Sequence, residues 1–207
     1  MNKLPVIIAA ALTVVSCGTT FRQIVGDPYD TAPKSTATTV SAGSSVRGTV
    51  NPAMVGKWFG EQEIYGSNGD GKATDNFVFN ADGSFTHEGG LTMKLVRDNV
   101  EYTYEFAVNG SGRYGVEGAR VYFSYDPDRA SAELVGFDMR SATGSGSIDG
   151  KAGTTIKMFT INPMKKSFLK SMKQDHVFVL DSVDGARLVM TDTQGADPQP
   201  QIFVKVL

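Results

Sequence analysis

Residues 100–108 read VEYTYEFAV, an unbroken alternation that limits the fold more than any other stretch of the chain. Val100, Tyr102, Tyr104, Phe106 and Val108 share one parity, and Glu101, Thr103 and Glu105 take the other. Side chains on a strand point alternately to its two faces, so this run predicts a strand with one apolar and one wet face. Asn109-Gly110-Ser111-Gly112 then reads as a hairpin turn. Tyr114 and Val116 alternate next, Glu117-Gly118 turns the chain again, and Val121, Phe123 and Tyr125 continue the pattern. The same period recurs over residues 58–65, 76–80, 84–88, 133–139, 176–181, 186–191 and 201–206. Asp82-Gly83 and Asp184-Gly185 supply turns between neighbours. About ten strands at this spacing predict an antiparallel barrel or sandwich.

One segment breaks the period. Asn162 is placed to cap a helix and Pro163 suits its first position. Met164, Phe168, Leu169 and Met172 then share a face, with Lys165, Lys166, Lys170 and Lys173 largely elsewhere. Residues 162–174 are therefore expected to form an amphipathic helix packed over one end or side of the barrel, its lysines solvated. The other role open to a basic amphipathic helix is contact with a membrane surface. Residues 141–153, rich in Gly and Ser, are expected to form a mobile loop near that helix.

The amino terminus has a different logic. After Lys3, residues 4–15 are apolar except for Thr13. The run is shorter than the roughly 20 residues of a spanning helix and suits the core of a secretory signal peptide. Val14-Val15-Ser16-Cys17 resembles the lipobox of bacterial lipoproteins: an aliphatic residue, a small or β-branched one, a small one, then cysteine. The resemblance implies a diacylglyceryl thioether on Cys17, cleavage before it, and acylation of the new terminus with a palmitate-type chain. Two or more acyl chains anchor a protein stably where one does not. Cys17 is the single cysteine, so its lipidation leaves no thiol for a disulfide, a metal or a nucleophile. The expected organisation is a signal peptide over 1–16, a lipidated flexible tether over 17–52 and one domain over 53–207. The tether is small, polar and non-periodic, and such chain cannot offset its ordering entropy by burial. The implied location is the bacterial cell envelope. Gly18 after Cys17 is compatible with sorting to the outer membrane.

The domain resembles the lipocalin-like domain of small bacterial lipoproteins, a calycin-type barrel. The residues that carry the likeness are Val55-Gly56-Lys57-Trp58, Phe79-Asn80-Ala81-Asp82-Gly83-Ser84-Phe85, Gly112-Arg113-Tyr114-Gly115-Val116-Glu117-Gly118, Leu188-Val189-Met190-Thr191-Asp192 and Phe203-Val204-Lys205. The resemblance implies an all-β, antiparallel up-and-down barrel of about 8–10 strands with one amphipathic helix. It also implies that Trp58 packs across one end beneath a basic side chain near the last strand, with Lys205 as the candidate. Thr193 after Thr191-Asp192, the 141–153 loop and the helix depart from the usual eight-strand pattern.

A small barrel either fills its interior with side chains or holds one small ligand. Trp58, Phe77, Phe79, Phe85, Tyr102, Tyr104, Phe106, Tyr114, Phe123 and Tyr125 are the inward candidates. From these, Trp58, Phe79, Phe85, Tyr102, Tyr104, Phe106, Tyr114 and Phe123 are the residues expected to contact a small, largely apolar ligand. The alternative is a non-enzymatic interaction or structural envelope lipoprotein with a filled barrel, meeting a protein partner through its loops or the basic helix. No catalytic residue, metal or cofactor is expected. His87 and His176 lie in no nucleophile elbow or metal motif and read as strand residues with satisfied hydrogen bonds. Glu101 and Glu105 share the wet face of their strand. Gly66-Ser67-Asn68-Gly69-Asp70-Gly71 lacks the first-position Asp and twelfth-position Glu of a calcium loop. A net charge of −2 and the lack of basic-aromatic clusters argue against nucleic acid.

Overall fold

The computed structural model describes residues 46–66, 69–97, 99–141, 144–146, 157–193 and 199–207. The expected signal peptide, Cys17, the expected tether up to residue 45 and most of the expected 141–153 loop lie outside the described residues. Among the described residues there are ten strands: β1 (Gly56–Gly66), β2 (Gly69–Phe79), β3 (Ser84–Arg97), β4 (Val100–Glu117), β5 (Arg120–Tyr125), β6 (Ser131–Ser141), β7 (Gly144–Gly146), β8 (His176–Val183), β9 (Arg187–Asp192) and β10 (Pro200–Val206). Between β7 and β8 come a π-helical turn (Lys157–Ile161) and helix α1 (Asn162–Met172).

Eight strands close an antiparallel barrel in the order β1-β2-β3-β4-β5-β8-β9-β10, with β10 returning to β1. The all-β barrel with a single α-helix agrees with the expected fold class. Alternation decides what lies inside: Trp58 on β1, Phe77 and Phe79 on β2, Phe85 on β3, Tyr114 on β4 and Phe123 and Tyr125 on β5 are buried. Leu188 and Met190 on β9 and Phe203 on β10 complete this wall.

β4 corrects one sequence expectation. It runs 18 residues without turning at Asn109-Gly110-Ser111-Gly112. One edge pairs with β3, while the other pairs first with β6, from Val100 to Asn109, and then with β5, from Gly112 to Glu117. The glycines serve close approach rather than a turn. A Cβ on Gly112 would run into the Ser124 carbonyl, and one on Gly110 would lie 2.6 Å from the Met172 methyl. Gly89-Gly90 likewise lies inside β3, where a Cβ on Gly90 would meet the Thr74 hydroxyl at 2.8 Å. The strand continues through Leu91 and Met93, both buried.

The long β1–β2 and β3–β4 hairpins therefore project past the barrel, and β6 extends this sheet. Helix α1 covers its apolar side, with Phe168 5.5 Å from Phe106. Met164, Phe168 and Met172 are buried and Leu169 half-buried, as the helical spacing predicted. Asn162 does not act as the cap: Ile161, already helical at φ −68° and ψ −48°, leads in from the π turn with no side-chain cap bond.

The opposite end is sealed by the chain arriving from residue 46. Thr49 and Val116 exchange backbone hydrogen bonds of 3.0 and 2.8 Å, so residues 46–52 belong with the barrel rather than with a free tether. The Pro52–Met54 3₁₀ turn then presents the Met54 carbonyl to Trp58, whose indole N–H donates to it at 2.6 Å. Lys205 Nζ sits 5.1 Å above the Trp58 ring, the arrangement the resemblance implied. Gly56 makes room for that side chain, because a Cβ there would lie 2.9 Å from Lys205 Cε, and its φ of +133° suits glycine.

Candidate functional site

The inward positions of β2 read Ala73, Asp75, Phe77 and Phe79, so a carboxylate is carried into an aromatic interior. Such a group needs partners there. His87, inward on β3, supplies one: its Nε2 lies 2.8 Å from Asp75 Oδ1. The carboxylate accepts from Nε2–H, which leaves Nδ1 as an acceptor for the Tyr125 hydroxyl at 3.1 Å. Phe77 stacks on the His87 ring at 4.4 Å and 8°. Asp75, His87 and Tyr125 thus form a buried chain of hydrogen bonds spanning β2, β3 and β5, and this chain directs the phenolic proton toward His87.

His176 on β8 packs edge-on against the other side of Tyr125, ring centres 5.9 Å apart. Its Nε2–H donates to the Ser171 carbonyl near the end of α1, at 3.1 Å. Burial pushes the imidazole down to about 4; the Ser171 bond and nearby Asp175 oppose the shift, and His87 adds to it. The ring is therefore neutral at physiological pH. Among the described residues, His176 Nδ1 has no hydrogen-bond partner, and neither has Nε2 of Gln201, inward on β10. Both residues border one internal void of about 10 Å³, walled otherwise by Phe77, Phe123, Tyr125, Phe178 and Met190. That is room for roughly one water molecule.

A second, open depression of about 100 Å³ lies against Gly60, Glu61, Gln62, Asp75, Pro200, Gln201, Ile202 and Phe203. Its position follows from strand register. β1 pairs with β10 only from Lys57↔Val206 to Gly60↔Phe203. Past Gly60, β1 stays with β2 while β10 stays with β9. The barrel wall parts there, and Gln201 stands between depression and void.

The residues expected to contact a ligand fall into two groups. Trp58, Phe79, Phe85, Tyr114 and Phe123 pack together in the barrel, with Phe79–Tyr114 at 4.8 Å and Phe85–Phe123 edge-on at 5.4 Å. Tyr102, Tyr104 and Phe106 lie on the projecting half of β4, where Tyr104 packs on Phe137 at 5.3 Å and Phe106 on α1. Phe123 alone of the eight borders the void. Burial raises the phenols of Tyr104 and Tyr114 to about 12, and the Tyr114 hydroxyl donates to the Asn80 carbonyl. Glu101 and Glu105 are exposed, as their parity predicted.

Asp75 and Gln201 were not singled out from the sequence, although both sit at inward parity beside Phe77 and Phe203. His87 has the satisfied bonds expected of it, whereas His176 is satisfied at one nitrogen only. Among the described residues, no group of three or more His, Cys, Asp or Glu is arranged to hold a metal ion. No described helix is long and apolar enough to cross a membrane. No protein-family model matches this chain, and no curated protein sequence shows significant similarity to it.

Proposed function

We propose that this chain is a lipid-anchored protein of the bacterial cell envelope whose filled barrel serves as a non-enzymatic interaction module. The fold is of the kind that calycin-type ligand carriers use, and the observation that separates the two roles is interior volume. Pockets for drug-sized ligands occupy about 300–1,000 Å³, whereas the void among the barrel aromatics is about 10 Å³ and the open depression beside Gln201 about 100 Å³. A largely apolar guest would have to displace Phe77, Phe79, Phe85 and Phe123, whose rings already contact one another.

The outer surface offers more. Ile202, Val204 and Val206 alternate outward along β10 and are 45–51% exposed. In register beside them lie Val189 on β9 and Phe59 on β1. Contiguous exposed apolar surface is where soluble domains meet other macromolecules, and this stripe supports that role for the barrel wall. The lipobox supports anchoring through Cys17, and Gly18 supports the outer membrane as its site.

The test is photo-crosslinking in intact cells, with a photoreactive residue placed at Val204 and, as control, at exposed Glu133. The reading expects a discrete envelope-protein adduct at Val204 that Ile202→Lys abolishes. Equal, diffuse crosslinking at both positions would overturn it.

A further inference from the structure

We infer that the void beside Tyr125 is a binding site for a single hydroxyl group, held between His176 Nδ1 and Gln201 Nε2. Both residues are more than nine-tenths buried, and each leaves one polar atom without a partner among the described residues. Their chemistry is complementary. The Ser171 carbonyl can only accept, so the neutral His176 ring carries its proton on Nε2 and presents a lone pair at Nδ1. Gln201 Nε2 is a donor. A hydroxyl donates to the first and accepts from the second.

Other groups fail one half of this match. An ammonium has nothing to accept the Gln201 N–H, and a carboxylate has no proton for His176. A methyl leaves both atoms unpaired, which is costly in an apolar enclosure. Size agrees with chemistry, because about 10 Å³ admits one oxygen and little else.

The hydroxyl can come from water or from a short alcohol or polyol. The second source has space next to the void, since Gln201 also borders the outer depression of about 100 Å³. A polyol lying there would have Asp75, Glu61 and Gln62 beside its remaining hydroxyls. Gly60 borders this depression and leaves room for the Phe203 ring: a Cβ on it would lie 2.6 Å from that ring. The inference is independent of the filled-barrel proposal, because a one-oxygen site is compatible with either role for the outer surface.

The experiment is a crystal structure of the full chain, alone and soaked in ethylene glycol, paired with ¹⁵N NMR of the imidazoles during a glycol titration in solution. The expected result is one oxygen within hydrogen-bond distance of both His176 Nδ1 and Gln201 Nε2, and a His176 Nδ1 shift typical of a hydrogen-bonded acceptor. Gln201→Leu should lose the oxygen and return the Nδ1 shift to that of a free lone pair. An isolated oxygen, with no response to glycol, assigns the site to water. Density running into the outer depression, with a saturable Nδ1 shift, assigns it to an alcohol. An empty void, a direct His176–Gln201 contact, or a free-lone-pair shift in the unsubstituted protein would overturn the inference. The last readout needs no variant to fold.

Discussion

His176 makes the fold sensitive to mild acid by an amount that can be worked out from its surroundings. Its imidazole titrates near 6.5 in the unfolded chain and near 4 in the folded one. The folded value is the lower, so between these limits the unfolded state binds more protons and stability falls as pH falls. The contribution is complete above about pH 6.5, is lost at up to about 1.4 kcal/mol per pH unit through the window, and stops changing below about pH 4. The total is about 3 kcal/mol, a large share of the 5–15 kcal/mol typical of a domain. Urea unfolding followed by the fluorescence of Trp58, the single tryptophan, measures it between pH 7 and 4. His176→Phe keeps a ring in place but removes the titrating nitrogen. That variant should be less stable at pH 7, because the Ser171 carbonyl loses its donor, yet its stability should fall less steeply toward pH 4. The exposed carboxyls of Asp82 and Asp184, which backbone N–H groups and, for Asp82, the Ser84 hydroxyl hold below their ordinary range, titrate beneath the window. Parallel pH profiles for the two proteins between 6.5 and 4 would refute the reasoning.

Trp58→Phe should cost about 1–3 kcal/mol in a chemical-denaturation series followed by circular dichroism, because it leaves the buried Met54 carbonyl unpaired. Gly56→Ala should cost a similar amount, about 1–3 kcal/mol, since a Cβ is strained at φ +133°. It should also move Lys205 off the Trp58 ring, which the emission maximum of Trp58 would report. Cys17→Ser should move the protein from the membrane to the soluble fraction and abolish incorporation of a clickable palmitate analogue; unchanged labelling would remove the lipid anchor from the account.

Strand parity was the part of the fold most legible in the sequence, because a barrel strand with a filled inner face must alternate. Residues 58–65, 176–181 and 201–206 fell within β1, β8 and β10 for that reason. Glycine misled where it serves packing: Asn109-Gly110-Ser111-Gly112 carries the signature of a turn, yet it lies within β4, where a neighbouring chain or side chain comes too near for a Cβ. The Lys205–Trp58 contact came from resemblance rather than from spacing.

The polar site was only half legible. Asp75 beside Phe77 and His87 beside Phe85 are inward by parity alone, so buried polar groups were visible in principle. Their meeting was not. Asp75 and His87 are 12 positions apart, and His87 and Tyr125 are 38 apart, so contact depends on how β2, β3 and β5 are registered. The void is further still from the sequence, because it is the small remainder of many packed volumes. The parting of β1 from β10 at Gly60 depends likewise on pairings that no local pattern announces.

The filled interior is tested most directly by native mass spectrometry of the full chain purified without added ligand, followed by fluorescence titration of an apolar probe. The account predicts a folded mass that matches the chain and its acyl groups, and Trp58 emission indifferent to the probe. A non-covalent adduct of several hundred daltons that vanishes on denaturation, together with saturable quenching of Trp58, would contradict it.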